Sequence, residues 1–219
     1  GNKSHFYPMA NLLAQRGYTV FLPEYRLSAE ARYPDGLVDL NDAIVWAKQQ
    51  AAQHGFDQDK LALGGGSSGG QMAALLAYTA DVPLFKSNAA DDTRVSTLID
   101  LDGVLDFTTP LAVEYENKLG DQSAAGLWFG GAMEKTLEKW QEASAVRHID
   151  ESSPPTFIIS SGRLRFTAGS EQVRRDLDKQ GIRNEYFQYD EVIHTFWLFE
   201  PYLSEVVDKI DRFLNPADR

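Results

Sequence analysis

The sequence contains no cysteine. This absence excludes disulfide bridges, thiolate metal sites and cysteine nucleophiles together. It does not fix the cellular compartment, which the sequence leaves open.

Basic residues are scarce relative to acidic ones. The 21 lysines and arginines stand against 32 aspartates and glutamates, which gives a net charge of −11. This balance argues against a nucleic-acid partner, because phosphate contacts need clustered Lys and Arg. No run approaches the roughly 18 apolar residues of a membrane-spanning helix. We therefore expect a soluble protein with no membrane partner.

A basic-then-apolar signal segment is also lacking at the start of the chain. The chain opens on Gly1 and Asn2 without a methionine, and residues 5–16 already carry the apolar spacing of a docked helix. From this we expect that an N-terminal segment is missing, so a signal peptide stays open. The sequence does not indicate an oligomeric state.

The length and the apolar content fit one domain. With 219 residues, 43% of them hydrophobic, the chain can bury one sizeable core, and we expect a single domain over residues 1–219. Strand and helix periods alternate, which predicts an α/β fold with a mostly parallel central sheet and helices on both faces. Strands are predicted at 18–22, from residue 61, and at 95–101, 156–161 and 185–189.

The segment 106–148 departs from this alternation. Its helical pieces are broken by Pro110 and by glycines, and it contains Trp128 and Phe129. Two interpretations are open: a small helical cap inserted over a pocket, or an ordinary pair of surface helices. Trp128 and Trp197 are candidate walls of a substrate pocket, although aromatic residues are more often core.

Residues 64–70, Gly-Gly-Gly-Ser-Ser-Gly-Gly, form the most informative stretch. They follow an apolar strand and precede a helical run, and this order predicts a nucleophile elbow. The pattern Gly-x-Ser-x-Gly fits twice, once on Ser67 and once on Ser68. A strand from about residue 61 puts Ser67 at the sharp turn and leaves the backbone N–H of Ser68 to face an oxyanion. We predict Ser67 as the nucleophile and Ser68 as the oxyanion-hole donor.

A phosphate-binding loop is the main alternative for the same stretch. The residues also match Gly-x-Gly-x-x-Gly, but they lie well inside the chain, and no strand ending in Asp or Glu follows at the distance of a dinucleotide site. No Gly-Lys-Ser/Thr follows either, which excludes a P-loop. The elbow is the better interpretation.

His194 is the best candidate for the base that a serine nucleophile needs. It lies after the last predicted strand and before the last predicted helix, where this chain order delivers a base. The other histidines have poorer positions: His5 lies in the first helical segment, His54 at a helix end, and His148 near the end of the cap-like segment. We interpret each of them as a surface or capping residue.

These motifs make the chain resemble the esterase/lipase group of α/β-hydrolases, which includes the hormone-sensitive-lipase-like and feruloyl-esterase-like (BD-FAE) carboxylesterases. Residues 24–28 with 33–34 resemble the family's Asp-Tyr-Arg-Leu-x-Pro-Glu…Tyr/Phe-Pro segment, residues 65–70 its Gly-Asp-Ser-Ala-Gly-Gly, and residues 193–197 its Gly-His-Gly-Phe. The resemblance covers nearly the whole chain.

The resemblance implies a serine esterase that works through an acyl-enzyme, without cofactor or metal. The implied substrates are short-chain acyl or aryl carboxylic esters, including acetyl or feruloyl groups on carbohydrate. An arylformamidase-like amidase uses the same elbow and base, and the sequence does not separate the two. A non-catalytic hydrolase-fold binding protein is a further alternative.

Two features depart from the family pattern. The family's His-Gly-Gly oxyanion motif would fall upstream of Gly1, and we expect it in the missing segment. The family also places an Asp after the 156–161 strand, where this chain has Leu164 and Arg165.

The identity of the acid is therefore open. Glu171, in the first turn of the next predicted helix, is the first choice, because a long side chain there could reach back toward His194. Asp106, beyond the 95–101 strand, is the second. Asp190 and Glu191 lie on the histidine's own loop, and a bare Ser-His dyad is the remaining alternative.

Overall fold

A four-stranded parallel sheet is the centre of the fold within residues 2–216, which the computed structural model describes. Its strands are β1 (Ala62–Gly66), β2 (Thr97–Leu101), β3 (Thr156–Ser160) and β4 (Asn184–Gln188). They lie side by side in chain order, and each neighbouring pair is parallel. Gly1 and residues 217–219, which the expected domain 1–219 includes, lie outside the described residues.

Helices surround this sheet. They are α1 (Tyr7–Ala14), α2 (Asp35–Gln49), α3 (Ala51–His54), α4 (Ser68–Tyr78), α5 (Pro110–Asn117), α6 (Ala124–Phe129), α7 (Met133–Glu142), α8 (Ser170–Lys179) and α9 (Tyr202–Leu214). None of the helices within residues 2–216 is long and apolar enough to cross a membrane.

The two faces of the sheet carry separate hydrophobic clusters. Leu98 and Ile158 point to the cluster that includes α2, α4 and α8, whereas Ile99 and Phe157 point to the cluster that includes α1 and α9. Neighbouring residues of a strand face opposite sides, so apolar residues at consecutive positions bury both faces. The expected parallel sheet with helices on both faces is confirmed.

The segment 18–22, expected to be a strand, forms none. The backbone N–H of Tyr18 donates to Leu13 O at 3.3 Å, and the ring of Phe21 packs edge-on against Trp46 with centroids 5.4 Å apart. A strand requires a ladder of backbone hydrogen bonds with a neighbour. Within residues 2–216 this segment has no such ladder, and it packs against α2 instead.

Helices α5, α6 and α7 fill the connection between β2 and β3. Their aromatic residues join the cluster on the α4 face: Phe129 and Trp140 are fully buried, with ring centroids 5.1 Å apart. Trp128 packs edge-on against Tyr33 at 5.2 Å, which ties this connection to the segment before α2. The connection is therefore part of the folded body.

The parallel arrangement places the ends of the strands together. Ser67 follows β1 directly, Asp102 follows β2 directly, and His194 lies in the loop between β4 and α9. Because all four strands run the same way, these residues reach one edge of the sheet.

Candidate active site

Ser67 occupies the sharp turn between β1 and α4. Its backbone torsions are φ 57° and ψ −122°, and such a conformation costs a non-glycine residue on the order of 1–3 kcal/mol. The surroundings enforce the turn, because a Cβ added at Gly65 would lie 2.4 Å from the carbonyl carbon of Gly69, and one at Gly70 would lie 2.3 Å from Asp100 Oδ1. The glycines let strand and helix approach closely, and the predicted elbow is present.

The side chains of Ser67 and His194 meet at the carboxyl edge of the sheet. Ser67 Oγ lies 2.8 Å from His194 Nε2. The loop that carries the imidazole is fastened to the loop after β3, because Val192 N–H donates to Ser161 O at 3.0 Å and Arg163 Nε donates to Val192 O at 2.8 Å. The contact that the sequence predicts is therefore formed.

Asp102 contacts the other nitrogen of the imidazole. His194 Nδ1 lies 2.8 Å from Asp102 Oδ2. Asp102 Oδ1 accepts hydrogen bonds from the Ser161 N–H at 2.7 Å and from the Ser160 hydroxyl at 3.2 Å. The carboxylate is fully buried, and these donors offset the cost of removing it from water. Ser67, His194 and Asp102 form one continuous hydrogen-bonded chain.

This geometry corrects the acid expected from the sequence. Glu171 lies in the first turn of α8, but its side chain is 81% exposed and pairs with Arg175 at 3.1 Å. The imidazole already has a carboxylate, that of Asp102. Glu171 is thus a surface residue, and a bare dyad does not describe the site either.

The other candidate acids also have different surroundings. Asp106 accepts hydrogen bonds within its own turn, from the N–H of Thr108 at 2.8 Å and its hydroxyl at 2.7 Å. Asp190 and Glu191 are exposed. The sequence does contain one indication of Asp102: it is the first residue after an apolar strand. A residue in that position lies at the edge of the sheet, where the loop that carries His194 also lies.

Two aromatic rings hold the imidazole from its sides. Phe166 stacks face to face on His194, with centroids 3.5 Å apart and planes 5° from parallel. Trp197 meets the same ring edge-on at 5.4 Å and 86°. Phe166 belongs to the 3-10 turn Leu164–Thr167, so the loop in which the resemblance places an acid supplies a stacking ring.

A cavity of about 280 Å³ opens beside Ser67. Trp128, predicted as a wall of a substrate pocket, lies in the wall of this cavity. Trp197 does not: it is 3% exposed and belongs to the core cluster on the α9 face, so the expectation for this residue is corrected. The lining residues are Tyr25, Arg26, Leu27, Ser28, Ser67, Ser68, Gln71, Met72, Asp102, Val104, Phe107, Glu116, Ala124, Ala125, Trp128, Arg165 and Phe166.

Ser68 stands at the cavity as the first residue of α4. The first N–H groups of a helix have no acceptor inside the helix, and the helix dipole makes this end electropositive. Burial raises the pKa of the neighbouring Tyr25 hydroxyl, an effect that a hydrogen bond with Ser68 opposes. The backbone N–H of Ser68 is thus suited to face negative charge that develops beside Ser67.

A second acid, Asp100, lies beneath the elbow. The pKa of its carboxyl is raised to about 8, chiefly by burial. The N–H of Gly103, which donates to Oδ1 at 3.0 Å, opposes this rise, and the charge of Asp102 adds to it. At neutral pH Asp100 is therefore mostly protonated.

Among residues 2–216, no group of three or more His, Asp or Glu side chains is arranged to hold a metal ion.

Comparison with protein families and curated proteins finds a matching family model and similar esterases. A family model described as BD-FAE matches residues 1–163. The probable carboxylic ester hydrolase LipM of Mycobacterium tuberculosis is 28% identical over 187 residues, which cover 82% of this chain and 41% of LipM. The chain spans about two fifths of the length of the curated relatives it matches.

Solved structures share the fold. The thermophilic esterase Est2 of Thermogutta terrifontis superposes with a TM-score of 0.76 at 22% identity, covering 99% of this chain and 76% of Est2. An acetyl ester-xyloside bifunctional hydrolase from Caldicellulosiruptor lactoaceticus superposes with a TM-score of 0.76 at 16% identity, covering 99% of this chain and 80% of that enzyme. At these identities the likeness establishes the α/β-hydrolase fold of the chain.

Proposed function

This chain belongs to the BD-FAE family, and from that membership we propose that it is a serine esterase for short-chain acyl or aryl carboxylic esters. The observation that carries the proposal is the hydrogen-bonded chain from Ser67 through His194 to Asp102, with 2.8 Å at each side of the imidazole. A nucleophile, a base and a carboxylate that orients the base are the parts that acyl transfer by serine requires.

The reaction runs in two halves. Ser67 Oγ attacks the ester carbonyl while His194 Nε2 takes its proton, and the Asp102 carboxylate stabilises the imidazolium that forms. The tetrahedral oxyanion accepts a hydrogen bond from the Ser68 N–H at the start of α4. His194 then gives the proton to the leaving alcohol, and the Ser67 acyl-enzyme remains. Water, activated by the same imidazole, releases the acid and restores the serine.

The connection between β2 and β3 acts as a small cap, residues 106–148, over the substrate. Phe107, Glu116 and Trp128 from this connection line the same cavity as Ser67. Trp128 gives an apolar wall for an acyl or aryl group, because an aromatic face buries a large area at low entropic cost. A cavity of about 280 Å³ suits a short acyl chain or a single aryl ring.

Acetyl or feruloyl groups on carbohydrate are the proposed natural esters. The support is the BD-FAE family match, together with a structural neighbour named as an acetyl ester-xyloside hydrolase. The partner is then a small-molecule or carbohydrate-linked ester.

Labelling and turnover with matched serine variants test the proposal. A fluorophosphonate probe should label the wild type and Ser68→Ala, whose backbone N–H is retained, and should not label Ser67→Ala. The wild type should hydrolyse 4-nitrophenyl acetate, and Ser67→Ala should not. A folded wild type that is neither labelled nor active would refute the proposal and favour a binding protein. Labelling of Ser67 with turnover of an aryl formamide but of no ester would favour the amidase instead.

A further inference from the structure

The 3-10 turn after β3 brings Arg165 into the cavity beside Ser67. The resemblance predicts the catalytic acid in this loop, but Asp102 contacts His194 in its place. Arg165 therefore has no role in the proposed acyl transfer. Its position in the cavity wall makes it a group that a bound substrate would meet.

Arg165 is held by a buried partner. Arg165 Nη2 lies 2.5 Å from Glu116 Oε1, and the Glu116 side chain is only 7% exposed. The second carboxylate oxygen of Glu116, Oε2, accepts the N–H of Ala125 at 3.1 Å. The guanidinium also stands over the ring of Tyr115 at 5.2 Å and the ring of Phe166 at 5.4 Å. These contacts fix the guanidinium plane at the cavity wall.

The guanidinium retains donors that the protein does not use. A guanidinium has five N–H donors, and among residues 2–216 the only side-chain hydrogen bond of Arg165 goes to Glu116. Its side chain is 32% exposed, and Arg165 is one of the residues that line the cavity. The Glu116 side chain is only 7% exposed and each of its oxygens already accepts a hydrogen bond, so the pair mainly presents guanidinium donors to a ligand.

The combined charge of Arg165 and Glu116 determines which class of ligand the cavity favours. Glu116 neutralises Arg165 at 2.5 Å, and the buried carboxylate of Asp102, a residue that also borders the cavity, lies behind its wall. A carboxylate on the substrate would be repelled by both acids and would lose its own hydration. A neutral ether, hydroxyl or carbonyl oxygen accepts a hydrogen bond from the guanidinium without that cost.

We propose that Arg165 determines specificity by donating a hydrogen bond to a neutral oxygen atom that the substrate carries in addition to its ester group. This inference rests on the proposed esterase function and narrows its substrate class to oxygen-bearing esters. The additional oxygen belongs to the acyl chain or to the alcohol. Cavities built to hydrogen-bond a substrate discriminate against analogues that lack the acceptor, because their own donors are left unpaired.

Isosteric ester pairs provide the test. On the acyl side, 4-nitrophenyl methoxyacetate is compared with 4-nitrophenyl butyrate, which has a methylene in place of the ether oxygen. On the alcohol side, 2-methoxyethyl acetate is compared with butyl acetate. Within each pair the ratio of kcat/KM is measured for the wild type and for Arg165→Met. Dividing the wild-type ratio by the Arg165→Met ratio cancels the difference in intrinsic reactivity between the two esters.

In one of the two pairs, the ratio of kcat/KM for the oxygen-bearing ester to kcat/KM for its analogue should be about tenfold higher in the wild type than in Arg165→Met. The pair that responds identifies the side of the ester that meets Arg165. Arg165→Met leaves Glu116 unpaired, so the double variant Arg165→Met/Glu116→Gln, in which the amide oxygen can still accept the Ala125 N–H, should show the same loss. Arg175→Met, a surface change on α8, is the matched control and should keep both wild-type ratios.

Equal ratios in the wild type and in both Arg165 variants would overturn the inference while esterase activity stands. A wild-type preference for 4-nitrophenyl hemisuccinate over the butyrate that disappears in Arg165→Met would overturn it also, by showing that the guanidinium binds an anion. A wild type without turnover of any ester and without fluorophosphonate labelling would refute the proposed function itself.

Discussion

The ring of Phe166 lies parallel to the imidazole of His194, with centroids 3.5 Å apart and planes 5° from parallel. The two ring nitrogens of His194 contact Asp102 and Ser67, each at 2.8 Å. Two in-plane contacts leave the imidazole able to tilt out of that plane. The stacked ring of Phe166 lies where it opposes this tilt, and we expect Phe166 to act as a positioning residue for His194.

Removing the ring of Phe166 should slow acyl transfer. Aromatic pairs are worth about 0.5–1.5 kcal/mol beyond their burial, so we expect Phe166→Leu to lower kcat on 4-nitrophenyl acetate about threefold to tenfold. Phe166→Tyr keeps the stacked ring and should retain most of the activity. The rate of fluorophosphonate labelling should follow kcat across the variants. Wild-type kcat in Phe166→Leu would show that the other contacts alone hold the imidazole.

Asp102 and Glu171 form a matched pair of carboxylates for testing the acid. Asp102→Asn would place an amide N–H₂ against His194 Nδ1 and favour the tautomer that cannot accept the Ser67 proton. We expect kcat to fall by about three to four orders of magnitude, with KM little changed. Glu171→Gln should leave both constants at wild-type values, because its side chain is 81% exposed and pairs with Arg175. The opposite pattern would contradict the geometry of the site.

The two glycines that flank Ser67 in the motif should differ in their tolerance of alanine. A Cβ at Gly65 would lie 2.4 Å from the carbonyl carbon of Gly69, whereas a Cβ at Gly69 would meet no atom within 4 Å. Gly65→Ala should therefore distort the elbow and lower both the melting temperature and the labelling of Ser67. Gly69→Ala should keep the activity and stabilise the protein by up to about 1 kcal/mol, because alanine is the better helix residue. Equal loss in both variants would refute this account.

The contact between Ser67 and His194 could be predicted from the sequence because each residue has a local signature. Ser67 stands in a glycine turn between strand and helix, and His194 stands between the last strand and the last helix. Such features depend on neighbours in the chain. The parallel sheet was predictable for the same reason, since alternating strand and helix periods are local patterns.

The contact of Asp102 with His194 and the burial of Trp197 were missed because both depend on contacts between distant segments. Asp102 and His194 are 92 residues apart, and only the pairing of β2, β3 and β4 brings them together. The position of Trp197 close to His194 in the sequence suggests a residue of the substrate pocket. In the structure its side chain belongs to the core and packs behind Gly66. The segment 18–22 has the composition of a strand, but strand formation requires a partner that composition does not specify.

Asp100 should make the stability of the protein depend on pH. Burial raises the pKa of its carboxyl from 3.8 to about 8, and its Oδ2 has no hydrogen-bond partner among residues 2–216. The folded state therefore holds a proton that the unfolded chain releases. The contribution of this group to the free energy of unfolding is complete below about pH 4 and is lost progressively as the pH rises to about 8.

The variant Asp100→Asn cannot ionise, so it should not suffer this loss. Measured against its own value near pH 4, the free energy of unfolding of Asp100→Asn should rise above that of the wild type as the pH rises. The difference should reach on the order of 4 kcal/mol at neutral pH, because the pKa of the wild-type carboxyl is about 8 in the folded protein. Urea unfolding of both proteins between about pH 4 and pH 8 measures the difference. Glu171→Gln, which changes an exposed carboxyl, is the control and should follow the wild-type curve. Parallel curves for Asp100→Asn and the wild type would mean that Asp100 ionises in the folded protein as readily as in the unfolded chain, and burial beneath the elbow would then carry no electrostatic cost.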